Sequence, residues 1–174
     1  MNVIHVHQHD PGLTHVGGIE TFINSFLKYA PDDIPVSLVG VTADPGDRPV
    51  GRWQKVRIGT READFFPVVA GHPRRRTAIP LSARFTWALA RARSRMDFKG
   101  ACLTFHRIEP ALALRGRPNP KVLFLHVHPQ DLHNPKTEVR WGRAPWLYGW
   151  LEQRLMADMA RIFVVREDAA AYYR

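Results

Sequence analysis

The chain has 174 residues, 45% of them hydrophobic and 24% charged, a balance that suits one globular domain with a real core and excludes wholesale disorder. A single cysteine, Cys102, excludes an internal disulfide, and no run approaches the ~18–20 apolar residues of a membrane span. The net charge of +9 and pI near 10.4 call for an anionic partner or surface.

Val3–His7 alternates apolar residues with histidine, which predicts a strand ending in a polar loop. Ile19, Phe22, Ile23, Phe26 and Leu27 then recur at helical spacing, so a helix is expected over Gly18–Tyr29, stopped at Pro31. Pro35–Val41 predicts a second strand, residues 42–52 a turn-rich loop, and Gln54–Ile58 and Asp64–Val69 two weaker strands. A basic link over 71–80 leads into a helix expected at Ser82–Arg95, with Ser82 as its N-cap. Phe85, Ala88, Leu89, Ala92 and Met96 share one face of that helix, with arginines around the rest. Ala101–Phe105 reads as a buried strand, in which Cys102 is a small hydrophobe. A short helix at Glu109–Leu114, a turn at 115–120 and a strand at Lys121–Val127 follow. After a long loop come a helix at Pro145–Ala160, a strand at Arg161–Val165 and the start of a last helix at Glu167–Tyr173.

Strands alternating with helices, several of them continuous apolar runs, predict an α/β domain with a doubly wound, mostly parallel Rossmann-like sheet covered on both faces. Such sheets bind ligands beyond the carboxyl ends of their strands, where the strand order reverses. Residues 8–17, His106-Arg107 and His128–Trp141 are polar segments at such ends, and they are expected to converge. The lone cysteine, and an N-terminus without a basic-then-apolar leader, suit a cytoplasmic protein.

The stretch HQHDPGLTHVGGIETFINSF, residues 7–26, admits two chemical readings. His5, His7 and His9 are spaced by two, as are His126 and His128. With Asp10 or Asp131, such His-x-His pairs could hold a metal in a hydrolase. Alternatively, Gly17-Gly18 stands directly before a helix, whose free amides and partial positive charge favour an anion. Glu20 in the first turn compensates the helix dipole. A third reading starts from charge. Arg74, Arg75, Arg76, Arg84, Arg91, Arg93 and Arg95 fall in one stretch free of acids, an arginine field that could serve nucleic acid, anionic lipid or a phosphorylated substrate. No nucleic-acid motif accompanies it, and aromatic residues do not interleave with the basic ones, so no nucleic-acid partner is expected.

GGIETFI after a short first strand resembles the N-terminal half of the glycosyltransferase family 4 enzymes, the "group 1" sugar transferases. FLHVHPQDLHNP resembles that family's strand ending in histidine before an acceptor-side loop. WLEQRLMADMARIFVVREDAAAYYR resembles its helix–strand–helix, with Arg166 where the family usually has serine. The resemblance implies the acceptor-side domain, residues 1–174, of a two-domain enzyme that moves a sugar from a nucleotide-sugar to a glycan or lipid-linked acceptor with retention. The donor-binding C-terminal domain would be absent from this chain, leaving it incomplete as a catalyst. No cofactor or essential metal is implied.

Residue by residue, the resemblance implies backbone contacts from Gly17 and Gly18 to the donor diphosphate and sugar. It implies His126 as the catalytic histidine facing the transferred sugar, with His128 beside it as an acceptor-side alternative. His106, Arg107 and Glu109 are expected to bind acceptor hydroxyls or an acceptor phosphate. Similar transferases touch membranes through a basic amphipathic segment, which here implies an anionic lipid surface met by Arg84, Arg91 and Arg95 near Phe85 and Trp87. The alternatives left open are a metal-dependent hydrolase and a basic nucleic-acid-binding module.

Overall fold

The apolar runs predicted as strands do form the centre of one sheet. The computed structural model describes residues 2–13, 17–72, 75, 77–126 and 145–165. Their elements run β1 (Asn2–Val6), α1 (Gly18–Tyr29), β2 (Val36–Thr42), β3 (Gln54–Ile58), β4 (Arg61–Ala70), α2 (Leu81–Ala92), β5 (Ala101–Phe105), α3 (Ile108–Ala113), β6 (Lys121–Leu125), α4 (Pro145–Met156) and β7 (Arg161–Val164). The helix expected at Glu167–Tyr173 lies outside the described residues, as do Arg74, Arg76, His128, Asp131 and Arg166.

The sheet order is β3-β4-β2-β1-β5-β6-β7. Every pairing is parallel except β3 with β4, an edge hairpin turned at Gly59, whose φ of +64° a glycine adopts without steric cost. The chain leaves β1 through α1 to one side, then returns through α2 to place β5 on the other side. The strand order therefore reverses between β1 and β5, and the fold is α/β and Rossmann-like.

Period-two alternation sorts the side chains onto the two faces. Ile4 and Val6 join Val39, Val41, Phe66, Leu103, Phe105 and Leu123 beneath α2, α3 and α4. Phe85 and Leu89 from α2 are fully enclosed there, worth roughly 1.5–3 kcal/mol each in apolar burial. On the opposite face α1 buries Ile23 and Leu27 against Leu38, Ala63 and Phe65. Cys102 is buried, and burial pushes its thiol pKa up, as suits a packing residue.

Several element ends differ from expectation. The N-cap of α2 is Pro80, with no side-chain cap, and Ser82 sits inside the first turn. Pro80 carries the extended backbone (φ −54°, ψ 144°) from which the helix starts, two residues ahead of the hydroxyl. The helix stops at Ala92 and closes with a turn in which the Arg95 amide donates to the Ala92 carbonyl. The β4 strand begins at Arg61, earlier than its apolar core, because pairing with β3 extends it.

Residues 7–10 are stitched to the exit of β2. The His7 amide donates to Val39 O (3.1 Å) and the Val41 amide to His9 O (3.1 Å). A Cβ at Gly40 would stand 2.3 Å from the His9 carbonyl oxygen, so only glycine admits this loop. Asp10 is fully buried and completes the joint, accepting from the amides of Gly12 (2.9 Å) and Ala43 (2.7 Å) and pairing with Arg48.

Candidate functional site

The alternation that sends Ile4 and Val6 to one face sends His5 and His7 to the other, beneath α1. On β5 the same face carries Thr104 and, just beyond the strand, His106. On β6 it carries Phe124 and then His126. Pairing of His5 with Thr104 and of Thr104 with Val122 puts these positions side by side at the switch point. The result is a cluster of imidazoles drawn from three strand ends. Thr104 Oγ1 lies 2.7 Å from His5 Nδ1, His5 Nδ1 lies 3.3 Å from His106 Nε2, and His106 Nδ1 lies 3.0 Å from His126 Nε2.

Aromatic rings seal the cluster. Phe26 of α1 meets the His5 ring edge-on at 4.7 Å, Phe22 meets His106 at 5.4 Å, and Phe124 stacks on His106 at 5.2 Å. His5, His7 and His106 are at most 3% exposed, whereas His126 is only half-buried and forms the outer end. Burial disfavours an imidazolium here, holding His5 down to about 3 with help from the neighbouring His7. Burial likewise lowers His106, with repulsion from His7, His5 and His126 adding to it. It lowers His7 despite the nearby Glu20 carboxylate, and His126 as well. These rings are neutral at physiological pH.

At the mouth, His7 Nε2 stands 3.9 Å from Glu20 Oε1, a distance for charge–dipole attraction, beyond hydrogen-bond reach. The His7 ring draws the Glu20 carboxyl down to about 2, against the opposing effect of partial burial. Glu20 is the third residue of α1 and folds back over its N-cap, Gly17, where a Cβ would meet Glu20 Oε2 at 2.1 Å. The room afforded by glycine at 17 is therefore filled by the helix's own acid. Gly18 differs: it is exposed, and a Cβ there would meet nothing within 4 Å. Contacts run without a break from Gly17 through Glu20, His7 and His106 to His126.

No protein-family model matches the chain, and no curated protein matches it either.

The remaining expected residues fall in different places. His106 is enclosed, with both ring nitrogens facing other imidazoles, so it sits inside the cluster. Arg107 holds Glu109 with two nitrogens, at 3.1 and 3.4 Å, and both are partly buried. The Arg107 charge reaches His7, while Glu109 faces α4 and, with burial and Glu152, raises the Tyr148 hydroxyl pKa. His128 lies outside the described residues. His9 departs from the cluster to meet Asn24 Oδ1 at 2.8 Å. Among the described residues no three His, Cys, Asp or Glu side chains are placed to hold a metal ion. Two pairs of ring nitrogens face each other, His5 Nδ1 with His106 Nε2 and His106 Nδ1 with His126 Nε2, and Asp10 accepts from backbone amides.

The basic helix divides. Phe85 and Leu89 belong to the core, and Arg84 turns back to donate to the Ala70 carbonyl at 2.8 Å. Trp87 is 66% exposed and carries the Arg91 guanidinium 4.8 Å over its ring, with Arg93 and Arg95 also exposed. No helix among the described residues is long and apolar enough to cross a membrane.

Sequence reasoning missed Thr104 as a cluster member and the part played by Phe22 and Phe124. The Glu20 fold-back did carry a signal: an acid three residues after the N-cap is half of a capping box.

Proposed function

We propose that the chain is the acceptor-side half of a retaining glycosyltransferase, moving a sugar from a nucleotide-sugar to a glycan or lipid-linked acceptor. One observation carries the reading: the open Gly18 end of α1 and the half-buried His126 share a rim at the sheet's switch point, joined by Glu20, His7 and His106. In this reading the donor diphosphate meets the amide end of α1 at Gly18, because Glu20 covers Gly17. Negative charge grows on the leaving phosphate as the glycosidic bond breaks, and fixed N–H donors stabilise it without reorganising. His126 faces the transferred sugar. Arg107, with its planar fork, serves an acceptor phosphate by exchanging Glu109 for it. A second α/β domain supplies the nucleotide site, and no resident metal or cofactor is required. The Trp87–Arg91 pair and Arg95 rest on an anionic lipid surface at the cytoplasmic side, the ring at the interface and the guanidinium groups among the headgroups.

Titration of the labelled chain with nucleoside diphosphate-sugars, followed by amide NMR, tests this. Shifts concentrated at Gly17, Gly18 and His126 are expected. Saturating shifts that map elsewhere would overturn the assignment.

A further inference from the structure

A neutral imidazole has one N–H and one bare nitrogen, so two ring nitrogens that face each other cannot both carry a proton. That restriction orders the whole chain of contacts. The Thr104 hydroxyl lies 2.7 Å from His5 Nδ1 and 3.3 Å from the Ile4 carbonyl. His5 Nε2 is enclosed with no partner among the described residues, so a proton there would be an orphan. The His5 proton therefore sits on Nδ1, and the hydroxyl accepts from it and turns its own proton toward Ile4 O. His106 Nε2 faces that same Nδ1–H at 3.3 Å and is therefore bare, which puts the His106 proton on Nδ1. His106 Nδ1–H in turn points at His126 Nε2 at 3.0 Å, so that nitrogen is bare as well. His126 must then carry its proton on Nδ1, the nitrogen of its ring that the ladder leaves over.

The reverse order puts a proton on His5 Nε2, an enclosed atom with no partner among the described residues. A buried N–H without an acceptor is the rarer and costlier orphan. In the favoured order that atom is only a bare lone pair. An imidazolium at any rung would present two donors and break the sequence, and burial already holds these rings neutral.

We propose that Thr104, His5 and His106 form a directed hydrogen-bond ladder that locks His126 as the Nδ1–H tautomer. The half-buried end of the cluster then offers a neutral N–H donor and no base, and the matching ligand group is an oxygen that can accept: a phosphate oxygen, a carboxylate or a sugar oxygen. His5, His106 and Thr104 are positioning residues, acting through the His126 ring. The ladder's direction is independent of the glycosyl-transfer reading. Only the identity of the accepting oxygen rests on it.

Side-chain nitrogen NMR of the ligand-free chain reads each tautomer directly. His5, His106 and His126 are each expected as a single Nδ1–H species. A His126 signal from Nε2–H, or from a mixture, would overturn the proposal. In His106→Gln the amide oxygen accepts from His5 and the NH2 group donates to His126, so His126 stays Nδ1–H. In His106→Leu the link is cut and His126 relaxes to mixed tautomers. Retention of the native His126 signal in His106→Leu would equally refute the ladder, and if that variant does not fold, the native spectrum decides alone. Because no ligand is present, failure here is distinct from failure of the nucleotide-sugar titration.

Discussion

Burying neutral imidazoles makes the fold acid-sensitive, and the size of the effect follows from the site. His5, His7 and His106 are enclosed and have lowered folded-state pKa values, His5 to about 3, against 6.5 when unfolded. A base with a depressed folded pKa binds more protons in the unfolded state, so stability is lost as pH falls below 6.5. At pH 5 an unfolded histidine gains about 2 kcal/mol by protonation that a ring held neutral in the fold forgoes. His7 counts for less than the others, since the Glu20 carboxylate favours its imidazolium. His5 and His106 together should cost about 4 kcal/mol between pH 8 and pH 5, close to the lower end of the ~5–15 kcal/mol total stability of an ordinary domain. Glu20 has the opposite linkage: its carboxyl is depressed to about 2 from 4.5, so its contribution is intact at pH 5 and lost only at lower pH. Urea unfolding at several pH values measures this directly. Near pH 5 the slope should approach two protons taken up on unfolding from His5 and His106, roughly 2.5–3 kcal/mol per pH unit. In His5→Phe it should fall by about one proton's worth, ~1.4 kcal/mol per pH unit. A stability flat from pH 8 to pH 5, or an uptake of one proton or fewer, would show that the cluster titrates in the folded state and refute the argument.

Gly18→Ala fills open space at the first helical residue, so it should raise stability by about 0.5 kcal/mol in urea while weakening nucleoside diphosphate-sugar binding by NMR; unchanged binding would separate Gly18 from the ligand. Gly40→Ala drives a methyl into the His9 carbonyl and should destabilise by about 1–3 kcal/mol, with the histidine ring signals disturbed; a neutral substitution would mean that the loop after β1 is not held as described. Trp87→Ala removes an exposed ring and should change stability by no more than ~0.5 kcal/mol, yet reduce sedimentation with anionic vesicles. Equal sedimentation would remove α2 from any membrane contact.

What the sequence made legible was set by local pattern. The bounds of α1, β3 and β5 agree with expectation because their apolar periodicity and flanking breakers coincide. The His-x-His spacing of β1 correctly implied that His5 and His7 share a face, since alternation is a property of the strand alone. Which face is covered is a tertiary fact. Enclosure of His106 depends on Phe22 and Phe124, distant in the chain, so a histidine at a strand end read as ligand-facing when it is internal. Gly17 is a similar case: a glycine before a helix reads as room for a diphosphate, and in the structure a carboxylate three residues on lies in that room. The acidic helix start was legible as dipole compensation; its reach to His7 was not, because that contact crosses from α1 to the end of β1.

The cluster is not explained by stability. Phenylalanine or leucine at positions 5 and 106 would extend the apolar layer that Phe22, Phe26 and Phe124 already form, and would remove the acid sensitivity. The rings' mutual hydrogen bonds only replace those they would make with water, so their net worth is small. What hydrophobic residues could not supply is direction. A row of neutral rings, each with one proton and fixed at one end by an enclosed His5 nitrogen with no partner among the described residues, transmits that asymmetry to the sheet's rim. A lone histidine in water would offer either nitrogen and either role. At the end of this row it offers one nitrogen and one role, held without charge beside the open start of a helix.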